Sequence, residues 1–259
     1  MLSLLRSEWY QVRKALSVKI TFGLILLASL IFGLNEIGQA SAKRLKELGW
    51  QYRLYGAGSL CSSMEDGATG LLFASLFAGW LITAAFENRT IQEAVSYGRG
   101  RSKVYIAKLL MFSFVVTALC LIYWFGSSIP TFLKNGVGDS DTVGNLCHIE
   151  YIAGMVLAEI LACNSLFSVC GFIGFWSRKA SITIGICIAG ILAGGNLFAM
   201  LLPDAVMKII NYTPLGLYKQ VLKLDLQWTD IWKTSFVSLA WIVIIYGIGL
   251  WRFQRVELK

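Results

Sequence analysis

The sequence predicts an all-α polytopic membrane protein, and composition is the first reason. Hydrophobic residues make up 56% of the 259 residues, the mean hydropathy is +0.65, and only three residues are proline. Soluble globular chains average about 45–50% apolar residues. Here the excess is gathered into long runs separated by short polar segments, a pattern typical of helices that cross a bilayer.

Six of these runs are long enough, with flanking residues, to cross a hydrocarbon core of about 30 Å as helices. They cover about residues 18–34, 68–86, 104–125, 149–175, 180–202 and 235–251. An even number of spans places both chain ends on one side of the membrane.

Residues 1–17 predict an amphipathic helix lying in the membrane surface. Leu2, Leu5, Trp9, Val12 and Leu16 repeat at spacings of three and four, and polar residues lie elsewhere on the helical wheel, namely Arg6, Gln11, Arg13 and Lys14.

The charges indicate which side the termini occupy. With the N-terminus in the cytoplasm, the inner segments hold most of the 23 Lys and Arg residues, and the three outer loops hold most of the 15 acidic residues. This asymmetry follows the positive-inside rule. The net charge of +8 is therefore explained by membrane orientation and does not indicate nucleic acid binding.

The outer segments are predicted to differ. Residues 35–67 allow a short amphipathic helix, and residues 126–148, rich in Gly and Asp, predict a loop. Residues 203–234 are apolar with sparse lysines and are broken at Pro214. They fit either a re-entrant hairpin or an amphipathic helix at the interface.

The polar interval between the second and third runs predicts a short cytoplasmic helix, about residues 90–98. Thr90 and Glu93 have the spacing of a capping box, Ile91, Ala94 and Val95 form one apolar face, and Gly98 can end the helix in the left-handed conformation. Ser102 is predicted to cap the third span. An ordinary solvated loop is the alternative.

Two polar residues lie inside the fourth run. Glu159 is the only charged residue deep in a span, and Asn164 lies about 140° further around the helix. They fit either a path for substrate or protons, or contacts between helices.

Small residues and cysteines allow further contacts. Gly190 and Gly194 form a G-x-x-x-G pattern that fits either a dimer seam or internal packing. Cys61 and Cys147 both lie in outer segments and allow a disulfide, whereas the other cysteines lie inside spans and no metal-binding pattern occurs.

The order of these elements resembles the permease subunit of ABC-2 type bacterial exporters. The resemblance rests on the surface helix, the first span, and the interval that begins at Glu87 and leaves through the basic segment RSKVYIAK, residues 101–108. It implies that the short helix is a coupling helix seated on a separate ATP-binding subunit. The residues implied in that contact are Glu87, Arg89, Thr90, Ile91, Glu93, Ala94, Val95, Arg99 and Arg101.

The resemblance also implies a cellular setting. The chain would lie in the bacterial cytoplasmic membrane, pair with a second copy or a homologous permease, and associate with two ATPases that bind ATP and Mg²⁺. It would export an amphiphile such as an antimicrobial peptide, an antibiotic or a lipid. The sequence has no G-x-x-x-x-G-K-[ST] phosphate loop, so this chain is not expected to be an enzyme or to bind a cofactor itself.

Two other functions stay open. A non-transporting sensor or scaffold would share the same membrane topology. An intramembrane enzyme is less favoured, because it would need converging catalytic groups within spans and the sequence offers Glu159 alone.

Overall fold

A computed structural model describes residues 2–39, 51–65, 67–138, 140–192, 212–217, 220–222 and 224–255. Within these residues the chain is all-helical, as predicted, and contains no strand. The α-helices are α1 Leu2–Lys14, α2 Leu16–Gln39, α3 Gly56–Glu65, α4 Gly67–Phe77, α5 Ala84–Glu87, α6 Thr90–Ser96, α7 Arg101–Asn135, α8 Ser140–Val143, α9 Ile149–Ser177, α10 Ala180–Leu192, α11 Pro214–Leu217 and α12 Trp228–Arg255.

Among the described residues, four helices are long and apolar enough to cross a membrane. They are α2, α7, α9 and α12, and they correspond to the first, third, fourth and sixth predicted spans. The fifth predicted span begins as α10, and residues 193–202 of it lie outside the described part of the chain. The structure is thus compatible with a membrane protein, as its composition predicts.

The second predicted span is helical but irregular. Its α-helical turns, α4 and α5, are separated by a π-helical segment, Ala78–Thr83. The Thr83 hydroxyl donates a hydrogen bond to the carbonyl of Gly79 inside this segment. Gly79 also packs closely on Ile184 of α10, so a side chain there would overlap its neighbour.

The third span extends further than predicted, because residues 126–135 are helical and the predicted loop begins only after Asn135. The hydroxyls of Ser127 and Ser128 both donate to the carbonyl of Trp124, and Thr131 donates to Ser128. Hydroxyls that bond to their own helix lose little by leaving water. At about 1.5 Å per residue, the 35 residues of α7 span roughly 52 Å.

Helices α2 and α7 approach each other closely through small residues. A side chain at Gly33 would overlap the backbone carbonyl of Ser127, and one at Gly126 would overlap the hydroxyl of Ser29. Such contacts let helix backbones pack tightly where lipid removes the hydrophobic driving force. Gly171 and Gly174 of α9 likewise pack on α7 and on the π-helical segment.

The segments outside the predicted spans are more ordered than expected. Helix α3 is buried almost throughout and packs against the last turns of α7, where the N–H of Gly56 bonds to the carbonyl of Gly136. The last span begins at Trp228 instead of near residue 235. Residues 40–50, within the segment 35–67 where a short amphipathic helix was predicted, and residues 203–211, the start of the predicted hairpin, lie outside the described residues.

Candidate functional site

The polar interval forms a sharp corner followed by helix α6. Arg89 has a left-handed backbone, with φ of 57°, and its N–H donates to the carbonyl of Phe86 at 3.1 Å. The carbonyl of Arg89 then accepts the first helical hydrogen bond, from the N–H of Glu93 at 2.9 Å. The chain therefore leaves α5 and enters α6 through a single left-handed residue.

The predicted capping box at Thr90 and Glu93 is wrong. Thr90 is already helical, and no side chain caps the helix at Arg89. The Thr90 hydroxyl instead donates to the carbonyl of Ala85 at 3.1 Å. Because the left-handed residue Arg89 is the N-cap, the helix starts one residue earlier than predicted. The Thr90 hydroxyl is therefore free to bond to a backbone carbonyl of α5.

The C-terminus of α6 follows the prediction. Gly98 has φ of 80° and donates its N–H to the carbonyl of Val95, while the N–H of Arg99 bonds to the carbonyl of Ala94. This pair of bonds is the Schellman motif, which satisfies the last carbonyls of a helix. Ser102 is not the cap of α7, which begins after Gly100; its hydroxyl accepts a hydrogen bond from Gln254.

The apolar face of α6 points into this chain, whereas the resemblance implied that Ile91, Ala94 and Val95 contact a partner. Ile91 is only 1% exposed, and Ala94 and Val95 are partly buried against the same core. A short helix lying over a larger apolar core gains most by covering that core.

The outward surface of α6 and its flanks is polar and carries one large aromatic residue. Arg89, Glu93 and Arg99 are exposed, and Tyr97 is 85% exposed. We call Arg89, Glu93, Tyr97 and Arg99 the α6 surface. Tyr97 was not among the predicted contact residues, although an aromatic residue beside a helix-ending glycine in a charged segment could have indicated it.

Two residues expected to contact a partner hold other helices of this chain. The carboxylate of Glu87 accepts a hydrogen bond from the N–H of Ala180, the first residue of α10, at 3.2 Å. The guanidinium of Arg101 donates to the carbonyl of Gln254, near the end of α12, at 3.0 Å. The corner around α6 is thereby attached to the starts or ends of two helices that are distant in sequence.

An aromatic cluster lies directly beneath this corner. Phe86 of α5, Tyr105 of α7, Phe175 of α9 and Phe253 of α12 are all buried. The ring of Phe175 lies 5.6 Å from Phe86, 4.5 Å from Tyr105 and 5.4 Å from Phe253. Such edge and tilted contacts stabilise aromatic pairs beyond area burial. The cluster joins four helices. Its contacts could not be predicted from the sequence, because its members are distant from one another along the chain.

A buried ion pair attaches α1 to the same region. The ammonium of Lys108 on α7 lies 2.6 Å from the carboxylate of Glu8, and the side chains are only 6% and 12% exposed. A cavity of about 150 Å³ next to the pair is also lined by Trp80, Asn88 and Thr90. The N-terminal helix therefore packs on α7 and shares this cavity with the start of α6. Its predicted apolar stripe is buried only in part, since Val12 is buried and Trp9 is exposed.

Glu159 and Asn164 lie on α9 without sharing a site. Glu159 is fully buried; one carboxylate oxygen accepts the thiol of Cys163 at 3.3 Å, and the other has no hydrogen-bond partner. The amide of Asn164 donates to the hydroxyl of Thr117 on α7 at 2.9 Å. Asn164 thus joins two helices, the packing alternative that the sequence left open.

The disulfide that the sequence allowed is not present. Cys61 and Cys147 are both free thiols, with Cys61 buried and Cys147 half-buried. Burial raises the pKa of the Cys61 thiol to about 12, so it is protonated at neutral pH. Among the residues the structure describes, no group of His, Cys, Asp and Glu could hold a metal ion.

No protein-family model matches this sequence, and no curated protein matches it.

Proposed function

We propose that this chain is the membrane-spanning permease subunit of an ATP-driven exporter of the ABC-2 class. In this proposal α6 and both termini lie in the cytoplasm of a bacterium, and a separate ATP-binding subunit contacts the α6 surface. The substrate is an amphiphile, such as an antimicrobial peptide, an antibiotic or a lipid. The support comes from the sequence resemblance and from the way α6 is mounted.

The main observation that supports the proposal is the attachment of α6 to other helices of this chain. Thr90 bonds it to α5, Glu87 bonds its entry to α10, and Arg101 bonds its exit to α12. Its buried residue Ile91 packs on the core. The Glu8–Lys108 pair holds α1 to α7, the helix that follows α6. A force applied to α6 would therefore reach the ends of several membrane helices together, as a rigid-body mechanism requires.

The α6 surface also has the composition of a protein contact. An exposed tyrosine surrounded by charges of both signs is typical of binding anchors with a polar rim. Tyr97 would be the anchor, and Arg89, Glu93 and Arg99 would form the rim. ATP and Mg²⁺ would be bound by the partner, whose closure on nucleotide would supply the movement.

Site-specific photo-crosslinking in cells tests this contact. A photoreactive amino acid at Tyr97 should crosslink to a polypeptide that mass spectrometry shows to contain a phosphate-binding loop, and ATP should change the yield. Leu133 is the matched control, because it is equally exposed, at 83% against 85%, but lies at the opposite end of α7. It should give no such product.

Two results would overturn the proposal. Crosslinking of the nucleotide-binding protein from position 133 instead of position 97 would place the contact at the wrong end of the molecule. A partner at position 97 that lacks a nucleotide-binding loop would instead favour a scaffold or sensor.

A further inference from the structure

A cavity of about 400 Å³ lies between the C-terminal ends of α9 and α12, apart from the α6 surface. Aromatic residues form most of its wall, and two arginines lie at it. The lining residues are Phe172, Phe175, Trp176, Arg178, Gly249, Arg252 and Phe253. We call this the arginine cavity.

The two guanidinium groups lie over aromatic rings. Arg178 lies 5.6 Å from the ring centre of Phe86, and Arg252 lies 4.1 Å from that of Trp176. Among the described residues, neither forms an ion pair or a side-chain hydrogen bond. Stacking on a ring leaves the N–H groups at the edge of a guanidinium free, and these match the oxygens of a phosphate.

The arginine cavity lies where the apolar parts of both helices end. Helix α9 ends at Ser177, just before Arg178, and Arg252 follows Trp251 near the end of α12. Trp176 lines the cavity, Trp251 precedes Arg252 in the chain, and both tryptophans are exposed. Tryptophan next to arginine at the end of an apolar helix is typical of the headgroup level of a membrane.

A third polar group lies beside the cavity wall. Tyr105 is fully buried, and its hydroxyl has no hydrogen-bond partner in the structure. This hydroxyl contacts Gly249, a wall residue, so closely that any side chain at that position would overlap it. Tyr105 is not among the residues that line the cavity, so this contact shows that α7 packs closely on α12 at the cavity wall.

We propose that the arginine cavity binds the phosphate headgroup of an anionic membrane lipid. Arg178 and Arg252 would contact the phosphate, while Phe172 and Trp176 would lie along the start of the acyl chains. A zwitterionic lipid would bind less well, because none of the described residues that line the cavity carries a carboxylate to pair with its ammonium, and the Trp176 ring is already covered by Arg252. The inference needs only that α9 and α12 lie in a membrane and does not depend on the exporter proposal.

Native mass spectrometry of the detergent-purified chain tests the proposal. The protein would be titrated separately with phosphatidylglycerol, with phosphatidylcholine of the same acyl chains, and with inorganic phosphate. We expect one phosphatidylglycerol to bind at least about tenfold more tightly than phosphatidylcholine, and inorganic phosphate not to compete at millimolar concentration. Arg178→Gln and Arg252→Gln should each weaken phosphatidylglycerol by about tenfold, the effect of losing a charge-assisted hydrogen bond.

Arg255→Gln is the matched control. Arg255 lies on the same end of α12 and stacks on Trp251, but it does not line the cavity. It should leave binding within about twofold of the unaltered chain, a difference well below the tenfold step of 1.4 kcal/mol. If Arg255→Gln weakened phosphatidylglycerol binding as much as the other two variants, the weakening would reflect the loss of any positive charge at this surface, and the proposal would be overturned. Equal binding of phosphatidylcholine, or displacement of the lipid by inorganic phosphate, would overturn it as well.

A second measurement keeps both arginines and therefore does not depend on whether the arginine variants fold. In nanodiscs, phosphatidylglycerol brominated near the headgroup should quench tryptophan fluorescence more than brominated phosphatidylcholine does. The excess quenching should disappear in Trp176→Phe, which keeps an aromatic ring but removes the fluorophore. Persistence of the full excess in that variant would place the lipid elsewhere and refute the assignment.

Discussion

The Glu8–Lys108 pair is the contact whose removal we expect to cost most. At a separation of 2.6 Å and an effective dielectric constant near 20, the attraction is about 6 kcal/mol. Removing the two groups from water offsets most of this, at several kcal/mol per ion. The pair should therefore contribute little compared with a neutral pair of the same size, whereas one charge left alone should be costly.

The corresponding experiment is a double-mutant cycle. Lys108→Met and Glu8→Gln should each lower the free energy of unfolding by about 3–5 kcal/mol, because each leaves one buried charge without its partner. The double variant should lie within about 1 kcal/mol of the unaltered chain. Unfolding in mixed micelles, followed by circular dichroism, measures all three differences.

An exposed pair provides the control for this cycle. Arg53 and Glu65 lie 3.4 Å apart, with side chains 28% and 42% exposed. Glu65→Gln should therefore cost less than about 1 kcal/mol. If Lys108→Met and Glu8→Gln also cost less than this, or if their effects simply add, the ion pair is not buried as described and the reasoning fails.

Three further predictions concern single positions. Cys147 should react with N-ethylmaleimide in the folded chain and Cys61 should not, because Cys61 is buried and burial raises the pKa of its thiol to about 12. Equal labelling of the two cysteines before denaturation would contradict this difference in reactivity. Gly98→Ala should destabilise α6 by about 1–2 kcal/mol through its positive φ, measured as faster amide exchange in residues 91–96. Gly100→Ala, at φ of −58° in open space, should leave that exchange unchanged. Asn164→Ala should lower the free energy of unfolding by about 0.6–1.7 kcal/mol through loss of its interhelical bond, and no change would show that the bond does not stabilise the pair.

The apolar helices could be predicted because lipid imposes a minimum length on them. Their ends were harder to place, because a run of hydrophobic residues does not show which polar residues bond to their own helix. Ser127, Ser128 and Thr131 look like loop residues in sequence, yet each satisfies its hydroxyl within α7. Helix α3 was missed because small and polar residues become buried there only by packing on α7.

The short helix was predicted at nearly the right residues, but the direction of its apolar face was not. Gly98 ends α6 as expected, since glycine is the residue that adopts a positive φ without strain. The start was wrong, because Arg89 takes a left-handed conformation that sequence rules assign to glycine or asparagine. The direction of Ile91 depends on neighbours that are distant in sequence, as does the pairing of Lys108 with Glu8, so neither could be read from local spacing.

The π-helical turn at Ala78–Thr83 sets the rotation of α5 relative to α4 within the second predicted span. A π-helical turn holds one more residue than an α-helical turn. If all six residues adopted α-helical geometry instead, Glu87 would rotate by roughly 100° around the axis, the angle that one residue contributes in an α-helix. Glu87 would then face away from the N–H of Ala180, and the corner at Arg89 would no longer lie over the aromatic cluster. The π-helical turn therefore determines how α5 is rotated relative to α4, and with it the position of the corner at Arg89.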